Sequence, residues 1–182
     1  MFEVTVLERN ARVDCVMAPS RACHVERAMT LCMSNGRILF LCTGNYYRSR
    51  FAEELFNHYA QRQGVNWQAS SRALALERGW TNVGPISRYA VEALQHRNIA
   101  PSGATRLPAA CTAADLESAD IVVAMKEVEH RELVRTKFPA WEERVMFWNV
   151  HDIDAASPRD TIETIDRLVT DLMQNIRFVA RA

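Results

Sequence analysis

Cys42 and Arg48 enclose five residues in the run Cys42-Thr43-Gly44-Asn45-Tyr46-Tyr47-Arg48-Ser49-Arg50. A spacing of this length lets the chain curl around a tetrahedral oxyanion. Backbone N–H groups and the N-terminus of a following helix then point into the curl, and both favour negative charge. The same field favours a thiolate over a thiol, which makes Cys42 a candidate nucleophile. Arg48 supplies a planar fork suited to two phosphate oxygens. Gly44 and Asn45 are the residue types that tolerate the left-handed backbone such a loop needs. A buried structural cysteine ending a strand would account for Cys42, but not for Gly44, Asn45, Arg48 and Ser49 together.

The elements that position this loop are legible on either side of it. Ile38 to Leu41 form an apolar strand. Phe51, Leu55, Phe56 and Tyr59 fall at helical spacing over residues 49–63, with Gly64 as the stop. Further along, strands are expected at 67–73, 120–125 and 145–150. Helices are expected at 85–97, 127–138 and 158–178, the last with Ser157 as N-cap and Pro158 in its first turn. Repeated β–α units of this kind imply an α/β fold. The expectation is a four-stranded parallel sheet with helices on both faces. Ligands of such sheets bind at the carboxyl ends of the strands, where Cys42 falls.

The totals fit one domain. The chain has 182 residues, 48% apolar and 24% charged, with a formal net charge of zero. That balance gives no reason to expect a nucleic-acid or membrane partner, and no apolar run approaches the roughly 20 residues of a membrane span. Five cysteines without a framework spacing suit a reducing compartment, so a cytoplasmic monomer is expected. Residues 1–36 show no periodicity and are expected to lie outside the fold, with a natural start near Met33. A metal cluster from Cys15, Cys23, His24 and Cys32 is the rival reading of that segment, and its spacing fits no standard zinc pattern. The domain is then residues 37–182, with no metal and no cofactor.

The string from Cys42 to Arg50 resembles the signature of the low-molecular-weight protein tyrosine phosphatase family, C-x-G-N-x-C-R-S-P directly after the first strand. The resemblance covers residues 36–178 and implies the strand order 2-1-3-4 for the sheet. Two positions depart: Tyr47 replaces the second cysteine and Arg50 the proline. What the resemblance implies is a metal-independent phosphomonoesterase, by default a protein tyrosine phosphatase. Cys42 would attack phosphorus and carry it as phosphocysteine, Arg48 would bind the phosphate, and Thr43, Gly44, Asn45, Tyr46, Tyr47 and Ser49 would line the binding loop. Ser49 would donate to the Cys42 sulfur, and Ser71 would brace Asn45.

A leaving oxygen needs a proton donor. The family places that acid after the fourth strand, in an Asp-Pro loop. Asp152 stands at that register here, with Ile153 in place of the proline and Asp154 as competitor. The implied substrate is a phosphotyrosine protein or a small phosphomonoester. Two other classes of function remain in view. Arsenate reduction needs relay thiols, and Tyr47 and residues 122–125 supply none, leaving Cys111 alone. A phosphate-binding regulatory module with poor turnover is the other, suggested by Arg50 and the altered acid loop.

Overall fold

The computed structural model describes residues 35–179, with side chains described through Ile176. The expectations for residues 1–34, including the cluster of Cys15, Cys23, His24 and Cys32, lie outside the described residues. In chain order the elements are β1 (Gly36–Cys42), α1 (Arg48–Gln63), β2 (Trp67–Ala73), α2 (Arg88–Gln95), α3 (Ala113–Glu117), β3 (Ile121–Ala124), α4 (Glu127–Lys137), β4 (Met146–Phe147) and α5 (Pro158–Val179). The four strands form one parallel sheet in the order β2-β1-β3-β4. This is the order expected from the sequence.

β1 is central, and from Ile38 to Cys42 it is buried at every residue. A strand covered on both faces reads as a continuous apolar run rather than an alternation. Successive side chains still point to opposite faces. Ile38, Phe40 and Cys42 therefore join the core beneath α1, α2 and α5, while Leu39 and Leu41 join Val134, Leu116 and Trp141 on the other face. On the first face Phe40 packs against Trp148, ring centroids 5.6 Å apart. Phe51, Leu55 and Phe56 of α1 are fully buried there, each contributing on the order of 2 kcal/mol of apolar burial. α5 adds Ile162, Ile165, Val169, Leu172, Met173 and Ile176 at helical spacing.

Three differences from the expected boundaries bear on the site. Gly36 already belongs to β1, opposite Trp67, so the strand starts one residue before the domain boundary read from the sequence. The helix expected from residue 85 begins only at Arg88, because the Ser87 N–H donates to the Tyr46 carbonyl (3.0 Å) and ties residues 85–87 to the Cys42 loop. The fourth strand, expected over residues 145–150, is a ladder only at Met146–Phe147. Beyond it the chain stays against β3 by single bonds, Trp148 N–H to the Ala124 carbonyl (2.9 Å) and Val150 N–H to the Met125 carbonyl (2.8 Å). Those bonds carry residue 152 to the sheet edge where Cys42 lies. Among the described residues, no helix is long and apolar enough to cross a membrane.

Candidate active site

β1 ends at Cys42 and α1 begins at Arg48, so residues 43–47 form a loop between the sheet edge and a helix N-terminus. Asn45 takes the left-handed backbone that its residue type tolerates, with φ 51°. The loop is the floor of a cleft of about 440 Å³, whose lining includes Cys42, Gly44, Tyr46, Arg48, Asp152 and Asp154.

The polarity of the hydrogen bonds leading to Cys42 follows from one backbone donor. The Ala109 N–H donates to Asn45 Oδ1 at 3.1 Å, which fixes the orientation of the amide. Asn45 Nδ2 must then donate, and it reaches Ser71 Oγ at 2.8 Å and Ser49 Oγ at 3.3 Å. Ser49 accepts from Asn45, so its own proton is free for Cys42 Sγ, 2.9 Å away. A hydroxyl aimed at sulfur stabilises the thiolate. Ser71 in turn donates to Glu53 Oε2 at 2.5 Å, and Arg106 donates to the same carboxylate oxygen at 2.5 Å. Burial pushes the Glu53 carboxyl up, against the pull of Ser71 and Arg106.

Arg50 stands where the signature has proline. It is fully buried, and its guanidinium donates to the carbonyls of Gly103 (2.5 Å) and Arg106 (3.2 Å). One turn later, Glu54 accepts from the Ser102 N–H at 2.8 Å and the Gly103 N–H at 2.9 Å. The two side chains grip the 102–106 segment from α1. A Cβ on Gly103 would lie 2.8 Å from Arg50 Nη2, so a side chain there would push the guanidinium out of its present seat. Burial, then the nearby Arg106 charge, lowers the basicity of Arg50. The arginine thus acts structurally, seating the segment that presents Arg106 and Ala109 to the back of the Cys42 loop.

Arg48 is 2% exposed and holds three partners. Its Nη1 donates to the Val150 carbonyl at 3.1 Å, and its Nη2 donates to Glu129 Oε2 at 2.8 Å. Asp152 Oδ2 lies 2.7 Å from the same Nη2. Burial opposes the charge on Arg48, but Cys42, Glu129 and Asp152 outweigh it and raise its basicity above the ordinary arginine value.

α4 contributes a second contact beside Glu129. His130 is fully buried, and its Nδ1 accepts from the Lys126 N–H at 3.0 Å. A neutral ring accepting at Nδ1 carries its proton on Nε2, which donates to Thr43 Oγ1 at 3.2 Å. Burial and the facing Arg48 charge press the His130 pKa down to about 3, so the ring is neutral at physiological pH.

Of the residues expected from sequence, Cys42, Gly44, Tyr46, Arg48 and Asp152 converge on the cleft. Asn45, Ser49 and Ser71 lie behind it as the relay described above. The Thr43 side chain turns to His130 instead of the cleft. Tyr47 touches the cleft, but its ring is 6% exposed in the core and its hydroxyl donates to the Pro158 carbonyl at 3.1 Å. Tyr46 lines the cleft, and its hydroxyl donates to the Val83 carbonyl at 2.7 Å. Trp80 is exposed outside the lining, and Arg72 pairs with Asp115 at 3.0 Å. Cys111 is half-buried, and burial followed by the Asp115 charge raises its pKa to about 12, which leaves it an unreactive thiol. Sequence reasoning missed Glu129, His130 and Arg106. Their only signals were acidic residues in a first helical turn and a lone loop arginine, both ordinary surface patterns.

A nucleophilic cysteine on an anion-binding loop, facing an arginine and a carboxylate, defines a cysteine-dependent phosphatase. The sequence model described as low molecular weight phosphotyrosine protein phosphatase matches residues 37–177. The chain belongs to that family. It is similar to a protein-arginine-phosphatase of Bacillus subtilis (strain 168), 33% identical over 108 residues, 59% of this chain and 67% of the relative. It is also similar to the crystal structure of a low molecular weight protein tyrosine phosphatase from T. tengcongensis. That match has a TM-score of 0.65 and 25% identity over 78% of this chain and 99% of that one. A structure of the YwlE arginine phosphatase, a mutant with a phosphorylated active-site serine, matches with a TM-score of 0.64 and 26% identity. It covers 78% of this chain and 95% of that one.

Proposed function

We propose that this chain hydrolyses phosphotyrosine in proteins by a metal-independent route through phosphocysteine. The observation that carries the reading is the convergence of Cys42, Arg48 and Asp152 on one cleft, with Ser49 Oγ 2.9 Å from the sulfur. Cys42 thiolate attacks phosphorus in line with the leaving oxygen. Arg48 and the loop amides hold the other phosphate oxygens, where preorganised donors act best. As the P–O bond breaks, Asp152 gives its proton to the tyrosine oxygen. A water then attacks phosphocysteine and returns a proton to Asp152. The P–S bond breaks, releasing phosphate and a thiolate that Ser49 stabilises.

Tyr46 and Tyr89 on the cleft wall support an aromatic leaving group, since both rings present apolar surface to it. A phosphoarginine substrate is the second reading. It is favoured by Asp154, a second carboxylate on the wall that would face a cationic guanidinium, and by the Bacillus subtilis relative. The test is phosphate release from a phosphotyrosine peptide and a phosphoarginine peptide of matched sequence. The first reading expects kcat/KM for phosphotyrosine to be higher by at least about tenfold. The reverse order, abolished by Asp154→Asn, gives the site to phosphoarginine.

A further inference from the structure

Arg48 has two carboxylates at one nitrogen, and they are not equivalent. Glu129 combines an ion pair with a directed hydrogen bond from Nη2 at 2.8 Å. Asp152 meets the same atom as an ion pair at 2.7 Å. We propose that Glu129 is the positioning residue for Arg48, fixing the plane of its guanidinium so that Asp152 is free to serve the leaving group.

The argument rests on donor geometry. A guanidinium is planar, so two anchored N–H groups fix the whole fork. The Val150 carbonyl anchors Nη1 at 3.1 Å and Glu129 anchors Nη2. The two anchors come from separate segments: Val150 follows β4, and Glu129 is in the first turn of α4. Asp152 cannot be a lasting anchor, because on the phosphatase reading it must move a proton at the substrate's leaving atom. Glu129 has no such second duty. It does not line the cleft, and its neighbour His130 is tied to Thr43. The first turn of α4 therefore grips the phosphate loop twice, at Arg48 and at Thr43.

A carboxylate beside Arg48 also has an opposite tendency, because it competes with phosphate for positive charge. The two effects give opposite signs on removal, so they can be told apart. If Glu129 orients Arg48, its loss weakens phosphate binding. If it merely competes, its loss tightens it.

This inference rests on the phosphatase reading, and the test separates the two. Wild type, Glu129→Ala and Glu129→Gln would be compared by steady-state turnover of p-nitrophenyl phosphate and by calorimetric binding of inorganic phosphate, with thermal melts to establish folding. Glutamine keeps an oxygen acceptor for Nη2, whereas alanine removes it. Glu129→Ala should raise KM and the phosphate Kd together by about tenfold, the scale of one charge-assisted hydrogen bond. Its kcat/KM should fall at least as far as the phosphate affinity, because Arg48 also holds the transition state, and Glu129→Gln should restore most of the phosphate affinity. Unchanged or tighter phosphate binding in folded Glu129→Ala would overturn the proposal, as would a Glu129→Gln variant as impaired as the alanine. An inactive wild type would sink the phosphatase reading alone, because calorimetry still reports on Glu129 and Arg48.

Discussion

Asp152 Oδ2 stands 2.7 Å from Nη2 of Arg48, although the two residues are separated by most of the folded chain. The contact follows from two strands running parallel. β1 delivers Arg48 at its carboxyl end, and the segment after β4 delivers Asp152 at the same edge. Asp154, two residues on, lines the same cleft but makes no ion pair with Arg48 among the described residues.

We propose Asp152 rather than Asp154 as the proton donor, because it is the carboxylate held closest to the phosphate-binding arginine. Asp152→Asn should cut kcat strongly for phosphotyrosine, by about a hundredfold or more. It should cost much less for an aryl phosphate whose phenol is acidic and needs little protonation. Asp154→Asn should be milder on both. Rates for both variants on both substrates check this, and a leaving-group-dependent loss confined to Asp154→Asn would reverse the assignment.

Oxidation should be hard to undo. The phosphate loop holds Tyr47 where a second thiol would sit, and Cys111 emerges from the far side of β2, tied by its N–H to the Ala73 carbonyl at 2.8 Å. Among the described residues no other thiol reaches Cys42, so peroxide should carry it through sulfenic acid to irreversible acids. Activity measured after prolonged peroxide and then dithiothreitol should stay low. Full recovery would mean that another thiol of the chain reaches Cys42.

His130 should impose an acid-side stability loss. Its pKa falls from the ordinary 6.5 to about 3 on folding, so the unfolded chain binds the proton that the folded chain refuses. Its contribution is fully present above pH 6.5 and is lost as pH falls toward 3. His130→Gln keeps a donor for Thr43 without a titrating ring. The gap in melting temperature between wild type and His130→Gln should shift in favour of the variant as pH is lowered from about 6.5 to about 4.

The sequence showed the strands of a parallel sheet, β2 and the Cys42 loop because each rests on local signals: apolar runs, a glycine stop and a spacing of five residues; the order of the strands came only with the family resemblance. It overstated β4, because the apolar residues at 148 and 150 keep a strand-like pattern while only Met146 and Phe147 pair in the ladder. Trp148 serves packing against Phe40 instead. Glu129 was hidden for a different reason. It lies 81 residues from Arg48, in a helical first turn where acidic residues are ordinary. Arg50 read as a departure from a signature, and only the fold shows its grip on Gly103 and Arg106. Local chemistry is written in short strings, whereas the partners that orient it come from distant segments.

The central claim is that Cys42 accepts the phosphoryl group. Loss of Asp152 should slow the attack of water on the intermediate, so Asp152→Ala is the protein in which to look. It would be mixed with p-nitrophenyl phosphate, quenched within one turnover, digested and read by mass spectrometry. A phosphate adduct is predicted on the peptide bearing Cys42, absent when Cys42→Ala is added. Continued turnover in the Cys42→Ala protein, or an adduct on any other residue, would contradict the account.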